Sequence, residues 1–136
     1  MRKINKIIVH CTATPAGRTV TVADVDKWHK ERGWSGIGYH YLIGINGEVW
    51  KGRDESAVGA HVSGQNADSI GVAYAGGLTA SGKLSTDTRT AAQKASLLKL
   101  IKELKAKYPN AKVFGHSDFS NKACPCFDAK SEYVNI

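Results

Sequence analysis

The chain has little of what would tie down a structure without a core. It contains three Pro, one Met and three Cys in 136 residues. An odd cysteine count, with Cys124 and Cys126 separated only by Pro125, is no disulfide framework, and reduced thiols are the expectation. No apolar run approaches the roughly 18 residues of a membrane span. After the basic opening Met1–Lys6, only Ile7-Ile8-Val9 precedes His10, which is too short for a signal-peptide core. Internal repeats, linkers and the aromatic-interleaved basic motifs of RNA-binding modules are all missing. Lys and Arg outnumber Asp and Glu by 19 to 12, giving a net charge of +7. These charges are spread from Arg2 to Lys130, so nucleic acid is not an expected partner.

What is present is an ordinary globular composition, 42% hydrophobic and 23% charged. A single domain over residues 1–136 of this size buries roughly 70% of its unfolded surface. Ile7-Ile8-Val9-His10 reads as a short buried strand ending on a polar side chain, followed by a loop from Thr12 to Thr19. Because successive strand side chains alternate, His10 and Cys11 face opposite ways, and Cys11 is assigned to the core. Thr21 with Asp24 three residues on is a helix-start signature, with Val25, Trp28, His29 and Arg32 on one stripe and Gly33 at the end. His29 reads as a packed histidine.

Gly38–Ile45, Asn46-Gly47 and Glu48–Lys51 form a hairpin pattern. Alternation puts Tyr39, Tyr41 and Ile43 on one face and His40 and Leu42 on the other, so Tyr39 and His40 are not expected to look into one site. Residues 54–68 form a long polar loop, of the kind that is usually functional. Ser69–Ala75 is a second buried strand. Thr90 with Gln93 opens a long helix over about Ala91–Lys107, with an apolar stripe through Leu97, Leu100, Ile101, Leu104 and Tyr108. Glu103 and Lys107 have the spacing of a helical ion pair. Lys112–Phe114 is a last strand that delivers His116. Strand, helix, hairpin, strand, helix, strand predicts an α/β domain with a mixed sheet and helices packed on it.

The chemistry gathers in residues 114–128, a turn-rich segment carrying His116, Lys122, Cys124 and Cys126. Imidazole and thiolate suit zinc, and a catalytic zinc takes three protein ligands and leaves a position for water. His116 and Cys124 would supply two ligands; a buried thiol and a hydrogen-bonded histidine is the plainer reading of the same pair. The strand-end His10 completes a plausible His₂Cys set. Lys122 and Tyr39 are the natural donors to an oxyanion; an exposed lysine and a strand-start aromatic are the alternatives.

These residues occur in order within Val9-His10-Cys11-Thr12-Ala13-Thr14, Trp28-His29-Lys30, Gly38-Tyr39-His40-Tyr41, Gly52-Arg53-Asp54, Ala57–His61, Ser69–Val72 and Lys122-Ala123-Cys124-Pro125. The set resembles the zinc-dependent N-acetylmuramoyl-L-alanine amidases of type 2, which include phage amidase-type lysozymes and are related to peptidoglycan-recognition proteins. The resemblance implies cleavage of the amide between the lactyl group of N-acetylmuramic acid and L-alanine in peptidoglycan. It implies one Zn²⁺ on His10, His116 and Cys124, with Tyr39 and Lys122 catalytic. It makes the 57–66 loop, with His61 and Asn66, the wall of the substrate groove, and His40 a buried histidine that does not bind metal. Cys126 stands where a small hydroxyl residue is usual.

Recognition-only relatives bind peptidoglycan without cutting and lack the metal-binding cysteine, while cytoplasmic recycling amidases carry Asp there. Cys124 therefore points to the cutting enzyme, and the short N-terminal stretch fits a phage or prophage lysin made without a signal peptide and acting on the wall in the periplasm after release; a monomer is expected. Phage relatives bind their RNA polymerase through an N-terminal extension; with nine residues before His10, that partner is not expected.

Overall fold

The computed structural model describes residues 2–136. Strands β1 (Lys6–Cys11), β3 (Tyr41–Ile43), β4 (Val49–Lys51), β5 (Ser69–Tyr74) and β7 (Lys112–Gly115) form one sheet in the order β4-β3-β5-β1-β7. β1 runs parallel to β5 and β7, β3 runs parallel to β5, and only β4 is antiparallel. The central strands β1 and β5 are continuous apolar runs because both of their faces are covered. This is the expected mixed α/β sheet, with helices on both sides.

Alternation along β1 divides the molecule. Ile7, Val9 and Cys11 enter one core with Tyr41, Ile43, Ile70, Val72, Tyr74 and Val113. Helix α2 (Ala91–Lys107) closes that face with Leu97, Leu100, Ile101 and Leu104, all on one helical stripe. Its start is the expected capping box: Gln93 N–H donates to Thr90 Oγ1 at 3.0 Å and Thr90 N–H to Gln93 Oε1 at 2.9 Å. The fully buried Gln93 also donates from Nε2 to Ala75 O at 2.9 Å, tying the helix to the end of β5.

The opposite face is smaller. There Val25 of helix α1 (Val22–Glu31) meets Val20, Ile37, Leu42, Ala73 and Ala75. Thr21 and Asp24 form the capping box of α1, and Arg32, placed on its stripe by spacing, is exposed. No helix among the described residues is long and apolar enough to cross a membrane.

Several local expectations need correction. Tyr39 packs with Leu42 and Trp28, not with Tyr41 and Ile43. The regular strand begins only at Tyr41, so alternation cannot be projected back across the bend at His40. The hairpin loop holds three residues, Ile45-Asn46-Gly47, closed by Gly44 N–H to Glu48 O and Gly47 N–H to Gly44 O, both at 2.9 Å. Gly47 takes the positive φ of 86° that this loop type demands. Lys107 does not pair along its helix; its Nζ lies 3.0 Å from Glu55 Oε1, across the fold. The loop after β1 contains a short strand β2 (Thr14–Pro15) paired with β6 (Gly77–Leu78), and the chain closes with a one-turn helix α3 (Ala129–Glu132).

Candidate active site

The parallel strands β1 and β7 are neighbours and point the same way, so their carboxyl ends lie side by side. His10 is near the end of β1 and His116 follows directly after β7, opening a short 3-10 turn. Their rings stand 4.7 Å apart. The segment after that turn folds back: Ser117 N–H donates to Cys124 O at 2.8 Å, and Cys11 N–H donates to Cys124 Sγ at 3.1 Å. Gly115 permits this return, because a Cβ there would meet Pro125 Cδ at 2.9 Å. One ligand atom each from His10, His116 and Cys124 then lies within 4.8 Å of the others, a group that could hold a metal ion.

The electrostatics suit that use. Burial, followed by the nearby charges of His61, His116 and Lys122, holds His10 well below the ordinary histidine range. Burial and Lys122 lower His116 in the same direction. Both imidazoles are therefore neutral near pH 7. The Cys124 thiol is lowered, chiefly by the hydrogen bond from the Cys11 thiol. Cys11 is raised, first through that bond, and Cys126 is pushed up to about 12 by burial. Cys124 is thus the one of the three free thiols favoured as a thiolate.

Tyr39 lies beside this group, its ring 5.0 Å from His10 and 5.3 Å from His29. Burial raises its phenol above the usual tyrosine value, so it remains an O–H donor. Lys122 is exposed at the rim of a cleft of about 490 Å³ that His116, His61 and Asn66 also line. His29 is buried and its Nδ1 accepts from Gly38 N–H at 2.8 Å, a packed histidine. His40 Nδ1 accepts from Gly71 N–H at 3.0 Å, leaving Nε2–H to donate to Ala57 O at 2.8 Å, outside the three-residue group. Asn66 Oδ1 accepts from both His61 N–H and Val62 N–H at 2.9 Å, pinning the cleft wall. His61 is 8% exposed, with its ring directed at His10 and Ser69.

Spacing did not single out Trp34 and Phe119, which also line the cleft. Trp34, exposed just past the end of α1, carries no usable signal, since single apolar side chains at a surface are ordinary. Phe119 carries none either; it belongs to the cleft only because Phe114 holds its ring at 5.2 Å.

Imidazole and thiol groups converge at the carboxyl ends of parallel strands beside a cleft, the usual place of a ligand site in an α/β domain. A family model described as N-acetylmuramoyl-L-alanine amidase matches residues 1–127, and the chain belongs to that family and is an N-acetylmuramoyl-L-alanine amidase. It is 44% identical to an endolysin of Klebsiella phage KP32 over 95% of this chain and 85% of the relative. It is 46% identical to an endolysin of Escherichia phage T7 over 91% and 82%. Among solved structures it resembles the N-acetylmuramoyl-L-alanine amidase LysC from Clostridium intestinale, with a TM-score of 0.81 and 33% identity, covering 98% of this chain and 83% of that one.

Proposed function

We propose that this amidase is a zinc-dependent lysin that cuts the amide between the lactyl group of N-acetylmuramic acid and L-alanine of peptidoglycan. His10, His116 and Cys124 hold the metal. The observation that carries this reading is the meeting of their ligand atoms within 4.8 Å, with His116 also lining the cleft. Two neutral imidazoles and a thiol biased toward thiolate are a donor set that suits zinc, and ligands remote in sequence are usual at its catalytic sites. Bound zinc supplies Lewis acidity and lowers the pKa of a water to roughly 7.

The chain's own groups do the rest. The cleft orients the stem peptide along the wall that Asn66 pins, with Trp34 and Phe119 as its apolar surfaces. The raised Tyr39 phenol offers a fixed O–H to the oxygen of the scissile carbonyl as charge builds there. Lys122 brings a cation to the same oxygen from the rim. Breaking the amide also requires a proton on the departing alanine nitrogen, and these two groups are the donors at hand. Residues 1–136 work as one amidase domain and as a monomer, with the wall as partner and action in the periplasm after release from the cytoplasm.

Digestion of purified sacculi tests this. Zinc-loaded protein is expected to release new N-terminal alanine without new reducing sugar ends, and chelated protein or Cys124→Ser is not. Binding of sacculi without new termini in the presence of zinc would replace the enzyme with a recognition module.

A further inference from the structure

The interior of the polar face holds an imidazole whose bonds are spent away from the cleft. His61 Nδ1 lies 2.8 Å from His10 Nε2, and His61 Nε2 lies 3.1 Å from Ser69 Oγ. The direction of this chain follows from the other side of His10. Its Nδ1 faces Cys124 Sγ at 3.9 Å. When Nδ1 gives its lone pair to a cation, the ring proton must be on Nε2, and that N–H donates to His61 Nδ1. His61 then carries its own proton on Nε2 and donates it to Ser69 Oγ.

The slot is built for this ring. A Cβ on Gly71 would meet His61 Cγ at 2.7 Å, and one on Gly59 would meet His61 Cδ2 at the same distance. The backbone N–H of His61 is meanwhile held by Asn66. His61 borders the cleft, yet both of its ring nitrogens are turned to His10 and Ser69.

We infer that His61 is a positioning residue for the metal ligand His10, fixing its tautomer and ring angle through the His10–His61–Ser69 chain. This rests on the His10, His116 and Cys124 reading above. Outer partners of ligating histidines are worth roughly 10- to 100-fold in metal affinity. The position of the acceptor makes the inference specific. Asn at 61 would set Oδ1 near the place of the histidine Nδ1, whereas Gln would carry its carboxamide one bond too far.

The test is Zn²⁺ affinity by competition with a chromophoric chelator, with the thiolate-to-metal absorption of the Co²⁺-loaded protein as a second readout. Wild type, His61→Ala, His61→Gln, His61→Asn and Cys124→Ser are compared, after circular dichroism has shown each to be folded. The expected result is a roughly 10- to 100-fold weaker Zn²⁺ affinity and a shifted Co²⁺ band for Ala and Gln, with Asn within about threefold of wild type. Equal affinity in wild type, Ala and Gln, with Cys124→Ser impaired, would overturn the role of His61 alone. Equal affinity in Cys124→Ser would overturn the metal site beneath it. A raised KM for His61→Ala with unchanged Zn²⁺ affinity would return His61 to the groove wall.

Discussion

The two faces of the central sheet are made by the same strands and do opposite work. On the face under α2, β1 contributes Ile7, Val9 and Cys11 to a core that also holds Leu97 and Ile101, both fully buried. On the other face it contributes Ile8 and then His10, and buried histidines 10, 29, 40 and 61 occupy positions where apolar side chains would pack. Burying an imidazole stabilises less than burying a leucine and obliges it to stay neutral and find partners. Among the described residues no buried side-chain nitrogen or oxygen lacks a hydrogen-bond partner. The apolar face thus carries the stability that lets the polar face keep groups for chemistry.

If this division holds, substitutions should separate by face. The largest effect is expected from His116→Ala: a loss of amidase activity beyond about 100-fold, with the metal-free chain unfolding in urea within about 0.5 kcal/mol of wild type. Leu97→Ala should do the reverse. Emptying that fully buried site should cost about 2–5 kcal/mol in the same urea experiment, while activity per folded molecule stays unchanged.

Acidity sharpens the contrast. Burial lowers His29 to about 4 and His61 to about 3, against about 6.5 in the unfolded chain. Below pH 6.5 the unfolded state binds more protons, so stability is lost as pH falls toward the folded values. The slope is at most about 1.4 kcal/mol per pH unit for each histidine. Urea midpoints of the metal-free chain should therefore fall between pH 6.5 and 5, before the carboxylates titrate, and less so in His29→Gln; a flat profile would show that the histidines are not buried neutral. The smallest effect belongs to neither face: Thr21→Ala removes the cap of α1 and should cost about 1 kcal/mol by thermal unfolding, with catalysis untouched.

The order of elements and the α2 stripe were legible because they are written in local periods. The two strand-end histidines and Cys124 were legible as chemistry, through the types of side chain and the turn-rich segment that carries them. What spacing could not reveal depended on contacts across the fold. Alternation carried through the bend at His40 puts Tyr39 on the wrong face. Helical spacing pairs Lys107 with Glu103, whereas the 54–68 loop brings Glu55 to it. The β2–β6 pair joins residues 14 and 77, two segments whose patterns say nothing of each other. The resemblance gives His61 only as part of the groove wall; its bonds to His10 of β1 and Ser69 of β5 exist only once those strands pair.

The central claim is that one metal ion is held on the polar face by His10, His116 and Cys124. Zinc-edge X-ray absorption on the zinc-loaded protein tests it most directly. One sulfur neighbour at about 2.3 Å with nitrogen neighbours at about 2.0 Å is predicted, and the sulfur should vanish in Cys124→Ser. A shell of nitrogen and oxygen alone in the wild-type protein would contradict the account.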